Sequence, residues 1–470
     1  MSYILREGQI KLIADTSEAF RTSQSVLAVA PTGFGKTVTF VEITKRTIAR
    51  GKRVFIVAHR IEILKQIANA LYRAGIRYGW IAAGRPTTSD LVQIGMVATV
   101  ANRLAQIKAP DLLVIDEAHH ATAGSYRKLT EAWPNAYVLG VTATPQRTDG
   151  TGLGECFKAM VRGPGMRELI TRGYLANYTY LAPPQQVDLT GVKSRGGDYA
   201  ADQLAAAMDQ SAVTGDAIGH YAKHLNGRPA IAFCVSVAHA KHVAEQFCRA
   251  GWKAESVDGA TDDAVRADRI AAIGDGRLNV LTSCDIISEG TDIPAVAGAL
   301  LLRPTQSLIV FLQQVGRVLR VKADGSKAII LDHVGSVFRH GMPDEDRAWS
   351  LTGKVARAQA ISVRQCPACY AAFQPAPKCP CCDHVFVTDK PRRLDAVLKA
   401  KEGELAEVDA KKVAAERAQE LKRLLAATHR MTDAQARVAL GQIAKNFNYK
   451  PGWVFMQMSL RTRSKGSRAA

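Results

Sequence analysis

No apolar run in this chain reaches the roughly 20 residues that a bilayer-crossing helix needs. The opening, Met1-Ser2-Tyr3-Ile4-Leu5-Arg6, lacks the apolar stretch of a secretory signal. We therefore expect a soluble, cytoplasmic protein with no membrane partner. No solenoid-type repeat recurs along the 470 residues. Acidic residues are short against basic ones, 43 to 62, which leaves a formal charge of +19. That imbalance calls for a polyanionic partner, whether nucleic acid, acidic lipid or ribosome. Reactive cysteine is also lacking. Of nine cysteines, Cys156, Cys234, Cys248 and Cys284 are scattered. In a reducing compartment they read as small hydrophobes and not as nucleophiles.

What is present begins with Ala30-Pro31-Thr32-Gly33-Phe34-Gly35-Lys36-Thr37. The apolar run Val26-Leu27-Ala28-Val29 precedes it, and a segment of helical apolar spacing, Val38 to Ala49, follows. A strand, a Gly-rich turn and a Lys-Thr pair opening a helix form a phosphate cradle. Backbone N–H groups at Thr32, Gly33 and Gly35 would face phosphates, Lys36 would reach the β- and γ-phosphates, and the Thr37 hydroxyl would hold Mg²⁺. About eighty residues on, Leu112-Leu113-Val114-Ile115 ends in Asp116-Glu117-Ala118-His119. Carboxylates at the carboxyl end of a buried parallel strand sit where such sheets bind ligands. Asp116 would hold Mg²⁺, and Glu117 would deprotonate an attacking water.

These residues, in this order, resemble superfamily 2 helicases and translocases with a DEAH-type box. Further segments carry the resemblance. Leu5-Arg6-Glu7-Gly8-Gln9 is similar to the Q motif, Val57-Ala58-His59-Arg60 to motif Ia, and Met96-Val97-Ala98-Thr99-Val100 to motif Ib. Thr142-Ala143-Thr144-Pro145 is similar to motif III and Ile231-Ala232-Phe233-Cys234 to motif IV. Glu289-Gly290-Thr291-Asp292-Ile293-Pro294 is similar to motif V, and Gln313-Gln314-Val315-Gly316-Arg317-Val318-Leu319-Arg320 to motif VI. Within the superfamily the nearest likeness is to RadD-type and phage-borne DNA helicases, which carry a four-cysteine zinc motif after the motor. The resemblance implies that Arg6 and Gln9 hold the adenine side of ATP, and that Gly290 and Asp292 meet the ribose. It also implies that Gln313, Arg317 and Arg320 reach the γ-phosphate from a second lobe. His119, Thr142 and Thr144 would couple the ATP site to strand contacts. His59, Arg60, Thr99 and Thr282 would touch nucleic acid, while His120 reads as an ordinary solvated residue. Arg317 and Arg320 are expected to share one helix face.

The fold expected is α/β, with two tandem RecA-like parallel-sheet lobes, a small four-cysteine zinc module and a helical C-terminal region. We place lobe 1 at residues 1–175, a connector at 176–212, and lobe 2 at 213–345. A linker at 346–362, a zinc module at 363–388 and a basic helical region with a disordered tail at 389–470 complete the chain. Expected strands in lobe 1 are 26–29, 54–58, 92–97, 112–115 and 137–141. In lobe 2 they are 230–235, 253–257, 278–283, 298–302 and 327–331.

Cys366-Pro367-Ala368-Cys369 and Cys379-Pro380-Cys381-Cys382 make two paired knuckles. Four thiolates in this order suit a closed, tetrahedral, structural Zn²⁺ site built from Cys366, Cys369, Cys379 and Cys382. Cys381 could replace Cys382. Residues 389–470 hold 18 Lys and Arg against nine Asp and Glu, which suits an electrostatic arm or a solvated helix. Tyr449, Trp453 and Phe455, near Lys450, could stack on bases, but they read rather as a small core beneath a C-terminal helix.

The expectation is an ATP- and Mg²⁺-dependent DNA helicase or translocase acting in replication, recombination or repair. Its partners would be single-stranded or branched DNA, read with weak sequence preference, and a replication or repair protein. The setting would be a bacterial or phage-infected cell. An RNA helicase, or a non-unwinding ATP-switched DNA-binding or loading factor, are the alternatives.

Overall fold

The computed structural model describes residues 4–86, 88–120, 123–147, 149–183, 192–195, 198–200, 203–204, 211–284, 293, 295–353, 363–366, 368–386, 419, 421–426, 428, 431–446 and 452–466. The chain forms two units, residues 1–388 and 389–470.

The first unit holds two parallel sheets. Sheet one comprises β1 Ser25–Val29, β2 Val54–Ala58, β3 Tyr78–Ile81, β4 Val92–Met96, β5 Leu112–Asp116, β6 Tyr137–Thr142 and β7 Ala159–Arg162. Their spatial order is β3-β4-β2-β5-β6-β1-β7, all parallel. Sheet two comprises β8 Tyr178–Leu181, β9 Ala230–Phe233, β10 Ala254–Val257, β11 Val280–Ser283, β12 Gly298–Leu301 and β13 Ala328–Asp332. Its order is β10-β11-β9-β12-β13-β8, again all parallel. Central strands such as β2 and β9 are buried along their whole length, as a sheet covered on both faces demands.

Within these two sheets, the three strands that the sequence pattern did not mark, β3, β7 and β8, each lie at a sheet edge. β3 alternates between half-buried and buried residues, β7 is half-buried with an exposed end, and only the second half of β8 is buried, so no long apolar run announces them. β8 falls inside the expected connector, which is therefore not irregular throughout. Farther along that segment, Ser194–Arg195 pairs with Asp198–Tyr199. Asp198 anchors this hairpin on lobe 2 by accepting from the Thr305 hydroxyl at 2.8 Å and the Gln306 N–H at 2.7 Å.

The described part of the expected linker also packs. Trp349 and Leu351 lie against the core of sheet one, and the Gly154 N–H donates to the Leu351 carbonyl at 2.8 Å. Arg162 and Arg167 of lobe 1 pair with Asp346 and Asp344 at 3.4 and 3.1 Å. Residues 354–362 lie outside the described residues.

The second unit contains the helices Asp433–Asn446 and Gly452–Gly466, and residues 421–426 are helical. The helix ending at Gly466 runs through much of the expected disordered tail. Met, Gln, Leu, Arg and Lys there are good helix formers, and no proline follows Pro451. Phe455 is 74% exposed, so it is not part of the small core expected around it. Tyr449 lies outside the described residues.

Candidate nucleotide cleft and thiol cluster

β1 delivers the chain into the turn 30–35, and the helix Lys36–Ile48 starts directly after it. Gly33 (φ +85°) and Gly35 (φ +94°) hold left-handed conformations. A Cβ on Gly33 would stand 2.5 Å from Leu175 Cδ2, and one on Gly35 would stand 2.5 Å from Gln9 Nε2. Both positions therefore require glycine.

Gln9 is buried and clips this turn. Its Nε2 donates to the carbonyls of Phe34 at 3.1 Å and Gly35 at 3.4 Å, and its Oε1 accepts from the Arg6 N–H at 2.9 Å. The side chain expected to read adenine thus has its amide engaged in shaping the phosphate loop. Arg6 lies over the Tyr174 ring at 4.4 Å.

The acid pair stands at the end of β5. Asp116 is buried, and its Oδ1 accepts from the Glu117 N–H at 2.9 Å. Burial pushes the Asp116 carboxyl up to about 7; the neighbouring Glu117 charge adds to this and Lys36 opposes it. A divalent cation beside Asp116 and Thr37 would compensate the carboxylate's burial, so the donor set fits Mg²⁺. Glu117 holds φ +49°, a left-handed conformation unusual for a side chain of its size.

Lobe 2 closes the cleft with the helix Leu308–Val318. A cleft of about 550 Å³ is walled by Arg6, Thr32, Gly33, Gly35, Lys36, Thr37, Asp116 and Glu117 from one side. Gln313, Arg317 and Arg320 wall it from the other. The lobes approach closely here, since a Cβ on Gly316 would lie 2.8 Å from Thr32 Cβ. Arg320 does not share a helix with Arg317, as the sequence suggested. The helix ends at Val318, where the Leu319 carbonyl instead accepts from the Ala176 N–H at 2.8 Å. Arg320 reaches the same cleft from the following segment, its Nη1 donating to the Ile293 carbonyl at 2.6 Å. Sequence reasoning missed Ile63, Gln66, Tyr174 and Val321 in the cleft wall, because none belongs to a charged or glycine-rich pattern.

One polar chain crosses the lobe boundary. Gln313 Nε2 lies 3.5 Å from His119 Nε2, and His119 Nδ1 lies 3.1 Å from Thr142 Oγ1 and 3.3 Å from Glu117 Oε2. The Thr142 hydroxyl donates to the Thr144 carbonyl at 2.9 Å. Among the described residues Gln313 Oε1 and Thr144 Oγ1 are buried without a hydrogen-bond partner, and a water donating to the Gln313 oxygen would relieve the first of these.

The expected strand-contact residues fare unequally. His59 and Arg60 sit half-buried at the end of β2, with Arg60 as N-cap of the helix Ile61–Arg73. Thr99 is half-buried in the short helix Val97–Ala101. Thr282 is a correction. It lies in β11, buried on both faces, and its hydroxyl donates to the Ala240 carbonyl at 2.7 Å. It is therefore turned into the protein and does not present a nucleic-acid contact. Gly290 and Asp292 lie outside the described residues. His120 is a second correction. It is not simply solvated, because its ring lies 4.0 Å from that of His59 and 4.2 Å from that of His119.

The Sγ atoms of Cys366, Cys369, Cys379 and Cys382 all lie within 4.8 Å of one another. Two of the separations, Cys366–Cys382 and Cys369–Cys379, are 3.6 Å. Zn–S bonds of about 2.3 Å in a tetrahedron put sulfurs about 3.8 Å apart, so this donor set fits zinc. Cys381 stays outside the cluster, exposed, with its backbone N–H directed at Cys379 Sγ. The knuckles do not stand alone. Cys366, Cys379, Ala371 and Phe373 join the core of sheet two, and Ala371 bridges to Leu181 of β8.

Comparison with known proteins agrees with this architecture. Residues 2–147 match the family described as type III restriction enzyme, res subunit, and residues 214–322 match the helicase conserved C-terminal domain. A 51.5 kDa protein of a Lactococcus phage (isolate 7-9) is 34% identical over 384 residues, covering 80% of this chain and 82% of the phage protein. The chain belongs to helicase superfamily 2. A putative ATP-dependent helicase, IRC3, of Saccharomyces cerevisiae is 29% identical over 259 residues, covering 53% of this chain and 37% of the yeast protein. The fold matches a fragment of a putative HsdR subunit of a type I restriction enzyme from Vibrio vulnificus YJ016. The TM-score is 0.58 at 18% identity, covering 76% of this chain and 68% of that one. As a superfamily 2 helicase the chain is an ATPase-type enzyme that uses ATP with a divalent metal and binds nucleic acid. Among the described residues no helix is long and apolar enough to cross a membrane.

Proposed function

We propose that this superfamily 2 protein is a DNA-dependent ATPase that translocates along, unwinds or remodels single-stranded or branched DNA. The observation that carries the reading is the cleft itself. Lys36, Thr37, Asp116 and Glu117 of lobe 1 face Gln313, Arg317 and Arg320 of lobe 2 across one space.

In this reading the loop amides and Lys36 bind the triphosphate, while Thr37 and Asp116 hold Mg²⁺. The ion, when bound, neutralises charge on the β- and γ-oxygens. Glu117 takes the proton of the attacking water, which the Gln313 carbonyl oxygen orients. Arg317 and Arg320 stabilise the equatorial charge from across the lobe boundary, as arginine fingers do. Hydrolysis then depends on lobe closure, and closure shifts two grips on the strand by turns. His59, Arg60 and Thr99 are the lobe 1 grip. Contacts of this type go chiefly to phosphates, so sequence preference is weak and salt dependence strong.

DNA is preferred over RNA for two reasons. The chain carries the four-cysteine module that accompanies the RadD-type resemblance. The N-terminal family match is to a restriction-enzyme subunit, and a relative of Sulfurisphaera tokodaii that is 23% identical over 355 residues is named a DNA 3'-5' translocase. The thiol cluster is assigned a closed, structural Zn²⁺, which leaves no open coordination position for catalysis.

The test is the ATPase rate of the purified protein alone and with single-stranded, double-stranded and branched DNA and with RNA. Lys36→Ala and Arg320→Ala serve as controls. Strong stimulation by DNA, lost in both variants, supports the proposal. Equal or greater stimulation by RNA moves the substrate to RNA. No stimulation by any nucleic acid points to an ATP-switched factor that remodels a protein partner.

A further inference from the structure

His120 has no part in the nucleotide chemistry above, yet its ring is held on two sides. Its centroid lies 4.0 Å from that of His59 and 4.2 Å from that of His119, each pair tilted by 42°. His59 follows the last residue of β2 and precedes Arg60, the N-cap of the helix Ile61–Arg73. His119 is buried, 3.3 Å from the Glu117 carboxylate and 3.1 Å from the Thr142 hydroxyl. Three rings therefore form a continuous row from the end of β2 to the floor of the nucleotide cleft.

We infer that His120 is a positioning residue that couples nucleic acid at His59 and Arg60 to the orientation of Glu117. The inference rests on the nucleic-acid reading of the preceding subsection. Its physical basis is packing. Side chains in van der Waals contact inside a dense protein do not compress; they shift together between discrete arrangements. A phosphate drawn to His59 and Arg60 moves the His59 ring, and His120, in contact with it, has to follow. The ring of His119 then moves with its partners Glu117 and Thr142. Glu117 is the member most sensitive to such a push. Its backbone already sits at φ +49°, a conformation that the surroundings must hold in place. The Gln313 contact of His119 extends the same row to lobe 2.

What His120 supplies is a ring and not a charge, so a phenyl ring of similar width substitutes for it. The experiment uses the full-length protein with His120→Ala and His120→Phe. ATPase is measured without nucleic acid and at saturating single-stranded DNA, and DNA affinity is measured by fluorescence anisotropy. We expect His120→Ala to keep the basal rate and the DNA affinity while losing about tenfold of the DNA stimulation, a typical coupling factor. His120→Phe restores most of the stimulation. His59→Ala combined with His120→Ala lowers stimulation no further than the more severe single variant, because both interrupt one row.

Three results overturn the inference. Stimulation that survives in His120→Ala removes the coupling role alone. A basal rate that falls as far as the stimulated rate reduces His120 to structural support for His119. A wild-type protein stimulated by neither DNA nor RNA overturns the nucleic-acid reading and this coupling with it.

Discussion

The Nε2 atoms of Gln313 and His119 face each other at 3.5 Å across the boundary between the two sheets. Each is tied to different chemistry. Gln313 lies on the helix that also carries Arg317, and His119 touches both Glu117 and Thr142. This pair links the Glu117 carboxylate to lobe 2. Replacing Gln313 by Ala should lower kcat by on the order of a hundredfold, the usual scale for losing one positioned group in proton transfer. Thermal stability should fall by much less, since the variant gives up only the long 3.5 Å contact with His119 and some buried side-chain packing. Steady-state kinetics and a melting curve on the same sample check this. A normal kcat would show that the two lobes do not communicate here.

Gly316 gives a sharper test of closure. A methyl at this position meets Thr32 Cβ at 2.8 Å, too close for the present lobe separation. Yet Gly316 lies inside a helix, where alanine is favoured over glycine by about 1 kcal/mol. Gly316→Ala should therefore keep or raise the melting temperature while sharply lowering ATPase. Gain in stability with loss in rate separates a blocked closure from a damaged fold. Undiminished activity would mean that hydrolysis tolerates a wider gap.

The thiol cluster predicts different behaviour for adjacent cysteines. Cys382→Ser removes a ligand, so zinc per chain measured by elemental analysis should fall well below one. Cys381→Ser should leave zinc content unchanged, because that side chain stays outside the cluster. Since Cys366 and Cys379 are part of the core of sheet two, zinc loss should also destabilise lobe 2. A reversed pattern between the two serines would exchange the fourth ligand.

Two histidines of lobe 2 make stability depend on acid. Burial lowers His333 to about 3, and His220 nearby adds to this. Burial lowers His340 to about 4; Arg339 and Arg347 add to this, while the Thr305 carbonyl and Asp198 oppose it. The folded values lie below the unfolded value of 6.5, so the unfolded chain takes up protons first as pH falls. The stability contribution is full above about pH 6.5 and drains away from there down to about 3–4. At pH 4.5 the cost should be on the order of 2 kcal/mol for each histidine. Urea denaturation of wild type at pH 7 and 4.5, beside His333→Asn, measures it. The variant should show the smaller decline.

Much of this molecule was readable before any fold was known. The phosphate loop, the acid pair and the arginines are short local patterns whose chemistry depends on residue type and spacing. Central strands such as β2, β5 and β9 betray themselves because burial on both faces demands an unbroken apolar run. Other features are invisible at that level because they are relations between distant residues. Edge strands β3, β7 and β8 need only half-apolar sequences. Thr282 was assigned from the family resemblance, but which way a strand residue points is set by packing, and its hydroxyl donates to the Ala240 carbonyl.

Sequence by itself determined the two-lobed α/β architecture, most of the polar residues that meet in the nucleotide cleft and the four-thiolate pattern, since each is encoded in contiguous residues. Tertiary structure alone decided that Gln9 shapes the loop and that Arg320 reaches the cleft from beyond the helix, while Cys382, which the spacing already favoured over Cys381, lies in the cluster. It alone decided, too, that His120 lies between His59 and His119. The reason is the same in each case. A side chain's partner is chosen by where the backbone places its neighbours, and those neighbours lie beyond the reach of a local pattern, with Gln9 and Phe34 25 residues apart and Arg320 and Ile293 27 apart.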